Sequence, residues 1–184
     1  MNLKRLRILV VAAIIVAVAV VVTVWEREPV EELPTEGVVE EDLGEGVQSV
    51  VLAFADSRAM NIVEEQRDIV VPDDRPGRAR RILEELVAGP RHEGAVRTLP
   101  ENTGVRSVYF DDAGGAYVDF SSELVEEHWG GSTGELFTIR SVVRTLAANF
   151  PDVESVTFLV EGEEIETIAG HIDASVPFAV EQYR

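Results

Sequence analysis

Between Ile8 and Trp25 the chain offers 18 consecutive residues that are almost wholly apolar. A helix rises about 1.5 Å per residue, so this run just covers the hydrocarbon of a bilayer, and Trp25 ends it with an aromatic suited to the interface. The run therefore predicts a transmembrane helix and takes itself out of any water-soluble core. Lys4, Arg5 and Arg7 precede it and acidic residues follow, which by the positive-inside bias leaves the N-terminus in the cytoplasm and the remainder outside. Ala17-Val18-Ala19 has the small-x-small form of a signal-peptidase site, but the apolar run continues through Val24, so an uncleaved signal anchor is the expected reading. The sequence contains no cysteine, which excludes a disulfide framework and a lipid-modified cysteine anchor.

Residues 26–46 carry nine acidic side chains against one arginine, with two prolines and three glycines. Such a segment buries too little apolar surface to offset the entropy of ordering, and it is expected to be a disordered linker. The division is then 1–25 cytoplasmic tip and anchor, 26–46 linker and 47–184 folded domain. The net charge of −18 includes +3 from Lys4, Arg5 and Arg7, so residues 26–184 carry −21. That surface repels phosphate backbones and makes nucleic acid an unsuitable partner; solubility is its plain explanation.

Within 47–184, Val50, Leu52 and Phe54 alternate in a strand, and 62–71 reads as a second strand after a turn near Asp56. Asp73-Asp74 and Pro76 signal a helix start, and Ala79, Ile82, Leu83, Leu86 and Val87 repeat at helical spacing until Gly89-Pro90. The stretches 105–110 and 116–120 flank "DDAGG" as a β-hairpin. Leu136, Ile139, Val143, Leu146, Ala147 and Phe150 form a second helical stripe, with Arg140, Ser141 and Arg144 placed opposite. Val156, Phe158 and Val160 alternate as a strand that turns at Gly162 toward a partner around 165–168. The expected fold class is α+β: two amphipathic helices packed on one face of a mixed or antiparallel sheet of about six strands.

Gly130-Gly131-Ser132-Thr133-Gly134 satisfies the G-x-S-x-G pattern, and Asp152 and His171 follow in the order Ser, Asp, His. A nucleophile elbow requires a buried strand running straight into the turn, whereas "SSELVEEH" intervenes after the strand ending near Phe120. Ser132 and Glu135 instead form the S-x-x-E of a capping box ahead of the second stripe, and a structural cap is the expected role of both. An envelope hydrolase using Ser132 and His171 is the alternative. His92, His128 and His171 stand apart without metal-ligand spacing. Asp111-Asp112 and the acidic turn Glu161, Glu163, Glu164 lack the spaced ligands of a calcium loop. No catalytic residue, metal or cofactor is expected. Trp129, beside two glycines, is the one aromatic placed as a ligand contact, for instance for a cell-wall glycan; a loop residue folded onto the core is the plainer reading.

Leu86, Gly89-Pro90, Leu99-Pro100, Val118-Asp119-Phe120-Ser121, Gly131-Ser132, Glu135, Thr145-Leu146, Val156, Gly162, Gly170, Asp173 and Pro177-Phe178 occur in an order that resembles the GerMN domain, the sporulation and spore germination module. The resemblance spans about residues 47–178. It implies an extracytoplasmic module of bacterial envelope proteins, similar to ring-building domains, that works by protein–protein interaction or self-association and brings no catalytic residues. Members are often lipoproteins or carry two such domains, and this chain shows neither feature.

Overall fold

The computed structural model describes residues 46–183, and the anchor and all of the linker but Gly46 lie outside them. No helix among the described residues is long and apolar enough to cross a membrane. The order is β1 (Val47–Asp56), β2 (Ile62–Val70), α1 (Arg75–Val87), β3 (Ala95–Val96), β4 (Val105–Phe110), β5 (Gly115–Phe120), α2 (Glu123–Glu126), α3 (Ser132–Asn149), β6 (Ser155–Val160), β7 (Glu163–Glu164) and β8 (Phe178–Ala179), closed by a 3₁₀ turn at Val180–Tyr183. The fold is α+β, with α1 and α3 packed on mixed and antiparallel strands.

The strands divide between two sheets instead of one. β1 pairs antiparallel with β2 along its length and with β3 at Ala55 and Asp56. β4, β5, β6 and β7 form the second sheet, in which β5 and β6 run parallel and β8 pairs with the start of β6. Parallel neighbours need a long crossover, and here α2 and α3 supply it. Val108 and Phe110 face the same side as Val118 and Ala116, their direct partners across the hairpin, so both strands contribute to one core.

α3 lies along β1 and completes its second edge. The Thr145 hydroxyl accepts the Ala53 N–H at 3.0 Å, while the Asn149 amide accepts from Val51 N–H at 3.0 Å and donates to Val51 O at 2.7 Å. Thr145 and Asn149 are one helical turn apart, and Val51 and Ala53 are two residues apart on the strand, so the two spacings match across the contact. Helix side chains thus satisfy backbone groups that a neighbouring strand would otherwise pair.

Three local expectations are corrected. Ser141 is fully buried rather than opposite the apolar stripe, because α3 also buries Glu135, Thr138 and Thr145 and is enclosed on more than one side. The partner of β6 after Gly162 is Glu163–Glu164; residues 165–168 leave the ladder because their backbone is held elsewhere, as described below. β3 and β8 were also not foreseen, since two residues carry no periodicity.

At the start of α1, Asp74 caps the helix by accepting the Gly77 N–H at 2.7 Å, with proline in the first turn. Asp74→Ala is expected to cost about 1 kcal/mol in chemical denaturation.

Candidate functional site

The residues singled out as a possible hydrolase do not assemble. α3 begins at Ser132 with Gly131 as its N-cap, in an extended left-handed conformation at φ 82°, and no side chain caps the helix. The capping box is therefore absent: Ser132 lies one position inside the helix, exposed, and Glu135 does not reach back to it. A glycine with positive φ turns the chain into the helix, and that geometry places the serine too late to serve as the cap. Ser132→Ala is accordingly expected to change stability by less than about 0.5 kcal/mol, well below the cost of removing a true cap.

Glu135 points inward instead and is fully buried. Its Oε1 accepts the backbone N–H groups of Ile168 and Ala169 at 2.9 and 3.0 Å, and its Oε2 those of His171 and Ile172 at 3.0 and 3.2 Å. One carboxylate thus organises the loop that follows β7. Burial pushes its pKa up, but the N–H bonds from Ala169, His171 and Ile168 outweigh burial and hold it below the ordinary value. His171 Nδ1 stands 3.5 Å from Glu135 Oε2, yet no hydrogen bond joins Ser132 to His171 among the described residues. The elements of a triad are present in order but no hydrogen bond links them among the described residues, and Asp152 pairs with Arg75 at 2.7 Å instead.

Other residues of the recurring pattern act in the same way. Asp119 accepts from Arg106 Nε at 3.1 Å and from the Gly162 N–H at 2.8 Å, tying the hairpin to the turn after β6. The Ser121 hydroxyl accepts the Gly104 N–H at 2.7 Å. Arg67, 4% exposed, donates to Glu65, to Glu85 through both its carboxylate and its carbonyl, and to Gly89 O. It thereby fastens the end of α1 to β2. Each of these side chains is occupied by backbone or by an opposite charge.

Trp129 is 53% exposed, neither folded into the core nor isolated. Its ring stacks on His128 with centroids 4.9 Å apart, and a Cβ at Gly134 would lie only 2.6 Å from its Nε1, so the glycine lets the indole rest on the first turn of α3. His128 is fixed beneath it: Nε2 meets Thr138 Oγ1 at 2.9 Å and Nδ1 accepts the Gly130 N–H at 3.0 Å. Burial lowers the His128 pKa, against the opposing field of Glu135. Accepting from Gly130 leaves Nε2 to carry the proton in the neutral ring. Beside the indole lies a cavity of about 200 Å³, which Ala55, Val96, Thr98, Thr133 and Phe137 also line. Trp129 thus lines this cavity, and its surroundings were not legible from the sequence because they come from elements far apart along the chain.

No group of three or more His, Asp or Glu side chains is arranged to hold a metal among the described residues.

Residues 51–166 match the family model Germane, described as sporulation and spore germination. The chain belongs to the Germane family. Solved structures agree with this Germane assignment. A candidate lipoprotein of Clostridium perfringens is 25% identical with a TM-score of 0.53, the alignment covering 74% of this chain and 90% of that one. The first GerMN domain of the sporulation protein GerM from Bacillus subtilis is 25% identical with a TM-score of 0.57, covering 72% and 97%. The tandem GerMN domains of the same protein match at 24% identity and a TM-score of 0.57, covering 71% of this chain and 46% of that one, as expected for one domain set against two. No curated protein sequence matches the chain. The Germane pattern read from the sequence therefore corresponds to a GerMN-like domain, and the Glu135, Asp119 and Ser121 clamps show how pattern residues act within it.

Proposed function

We propose that this Germane domain is a non-catalytic interaction module, held at the outer face of the cell membrane by the apolar run 8–25, that docks an envelope protein or a second copy of itself during assembly in the bacterial envelope. Sporulation or germination is the setting its family suggests. The observation that carries the reading is the occupation of its polar groups. Glu135 is committed to four backbone N–H groups and no hydrogen bond joins Ser132 to His171 among the described residues, so we take the residues most suggestive of chemistry to serve the fold. The likeness to a candidate lipoprotein supports a tethered, extracytoplasmic placement. With no cysteine available, tethering falls to the apolar run.

In-cell crosslinking of the full-length protein, followed by mass spectrometry of peptides joined to residues 46–183, tests the reading. Reproducible links to one or two envelope proteins, or to itself, are expected. Absence of such links, together with ester or amide turnover abolished by Ser132→Ala, would instead establish the hydrolase.

A further inference from the structure

The two long edges of the β1–β2 hairpin are treated differently by the fold. The Val71 N–H donates to Gly46 O and the Asp56 N–H to Asn61 O, both at 2.9 Å, and the register between them runs without a bulge. Hydrogen-bonded pairs alternate along an antiparallel ladder, so these two bonds fix its phase. The odd-numbered residues of β2 address β1, while Ile62, Glu64, Gln66, Asp68 and Val70 turn their N–H and C=O groups away from it. The same phase turns Val51 and Ala53 outward on β1, where Asn149 and Thr145 meet them. β2 is the terminal strand of its sheet, and no strand among the described residues pairs with its far side.

This edge is not blunted against another strand. Exposed edges are commonly guarded by lysine, proline, a bulge or a very short strand. β2 has nine residues in unbroken register, with no lysine or proline. The charges on its inner face are turned elsewhere, Glu65 to the Arg91 and His92 N–H groups and Arg67 to Glu85 and Gly89. Met60 and Val70, at 69% and 66% the most exposed large apolar side chains among the described residues, stand at its two ends. Single exposed apolar side chains are ordinary, but these two frame one open strand. What β2 does carry is charge against its own copy. Antiparallel pairing with a second chain centred on Glu64, Glu65, Arg67 or Asp68 sets that residue against itself, and centring on Gln66 sets Glu64 against Asp68. Like charges directly opposite one another destabilise a ladder.

We propose that the free edge of β2 receives an extended basic segment of an envelope partner, added as an antiparallel strand with Lys or Arg opposite Glu64 and Asp68 and a polar residue opposite Gln66. The inference rests on the protein-interaction reading above and names its surface. In strand addition the backbone gives affinity and alternate side chains give selectivity. Cations four residues apart on the partner share one face, because side chains alternate along a strand. Glu64 already holds Arg144 at 2.6 Å, which leaves Asp68 as the more available acid. The net charge of −18 draws a basic segment in and repels an acidic one.

The test uses the full-length protein in uncharged detergent micelles and the anisotropy of fluorescein-Gly-Thr-Lys-Val-Thr-Val-Lys-Thr-amide. A second peptide carries Glu for both Lys. Two more carry a backbone N-methyl group, one on the threonine between the valines, which faces β2, and one on the valine after it, which faces away. The basic peptide is expected to bind saturably below about 1 mM and at least about tenfold more tightly than the acidic one. The threonine methyl should weaken binding about tenfold and the valine methyl less than about threefold. Gln66→Pro removes an edge-facing N–H that β1 does not use, and should weaken binding about tenfold with the fold kept. Asp68→Lys, on an exposed side chain, should do the same and serves if the proline variant unfolds. No saturable binding, equal affinity for the basic and acidic peptides, or indifference to both variants overturns the proposal. Indifference to where the methyl group sits overturns it too, leaving only general attraction to an acidic surface, as do crosslinks joining β2 to a second copy. If in-cell crosslinks to an envelope protein persist undiminished in Gln66→Pro, this inference falls and the interaction reading stands; absence of crosslinks from the wild type defeats the broader reading.

Discussion

Replacing Glu135 by Gln is expected to lower the stability of the domain by about 3 kcal/mol at neutral pH, because an amide offers one acceptor oxygen and turns an NH₂ toward N–H groups that now have no partner. In the native protein two carboxylate oxygens accept four backbone N–H groups from the loop at 168–172. The effect depends on pH in a defined direction. The folded pKa of Glu135 is depressed below the ordinary value of 4.5, so its contribution is fully present above that value and is lost as pH falls through the folded pKa. The difference between wild type and Glu135→Gln should therefore be largest near neutrality and shrink below about pH 4.5. Urea denaturation across this range measures it. A difference that stays constant from pH 7 to pH 3 would show that the carboxylate's charge is not what holds the loop.

The second large effect concerns Arg67, whose side chain is enclosed between β2 and the end of α1. Arg67→Met is expected to cost about 3 kcal/mol, toward the lower end for breaking a buried ion pair, since Arg81 and Arg91 still reach Glu85 at 2.6 and 3.2 Å. The substitution also removes the donors to Glu85 O and Gly89 O. Arg67→Lys should recover little, because one ammonium cannot replace a planar fork that addresses two residues of the helix end and Glu65 together. Adding Glu85→Leu to Arg67→Met should restore part of the loss by removing the carboxylate left behind. If the single variant unfolds at the same denaturant concentration as wild type, α1 is held to the sheet by its apolar face alone.

Elements whose residues repeat at a regular interval were legible in the sequence. Ala79, Ile82, Leu83, Leu86 and Val87 are buried as their spacing requires, and Val50, Leu52 and Phe54 are the core face of β1. Contacts that depend on a partner distant in sequence were not. Glu135 carries the same letters whether it caps its own helix or binds residues more than thirty positions later, and a capping-box pattern states only the local option. Thr145 and Asn149 also have a weak signal in hindsight: two amide or hydroxyl side chains one turn apart on a helix, beside an apolar stripe, that match a strand edge. Trp129 was visible as an aromatic beside glycines, but the cavity it lines depended on tertiary packing.

The closure of β1 by α3 also bears on the timing of folding. Val51 and Ala53 wait for Asn149 and Thr145, 98 and 92 positions further along the chain. During synthesis the β1–β2 hairpin must therefore emerge with one edge open until almost the whole domain has followed it. Contacts of such sequence separation slow folding and leave an unpaired edge available to neighbours in the interval. A chain of this design favours late, all-at-once consolidation over piecewise growth, and its vulnerable period is set by how quickly α3 arrives.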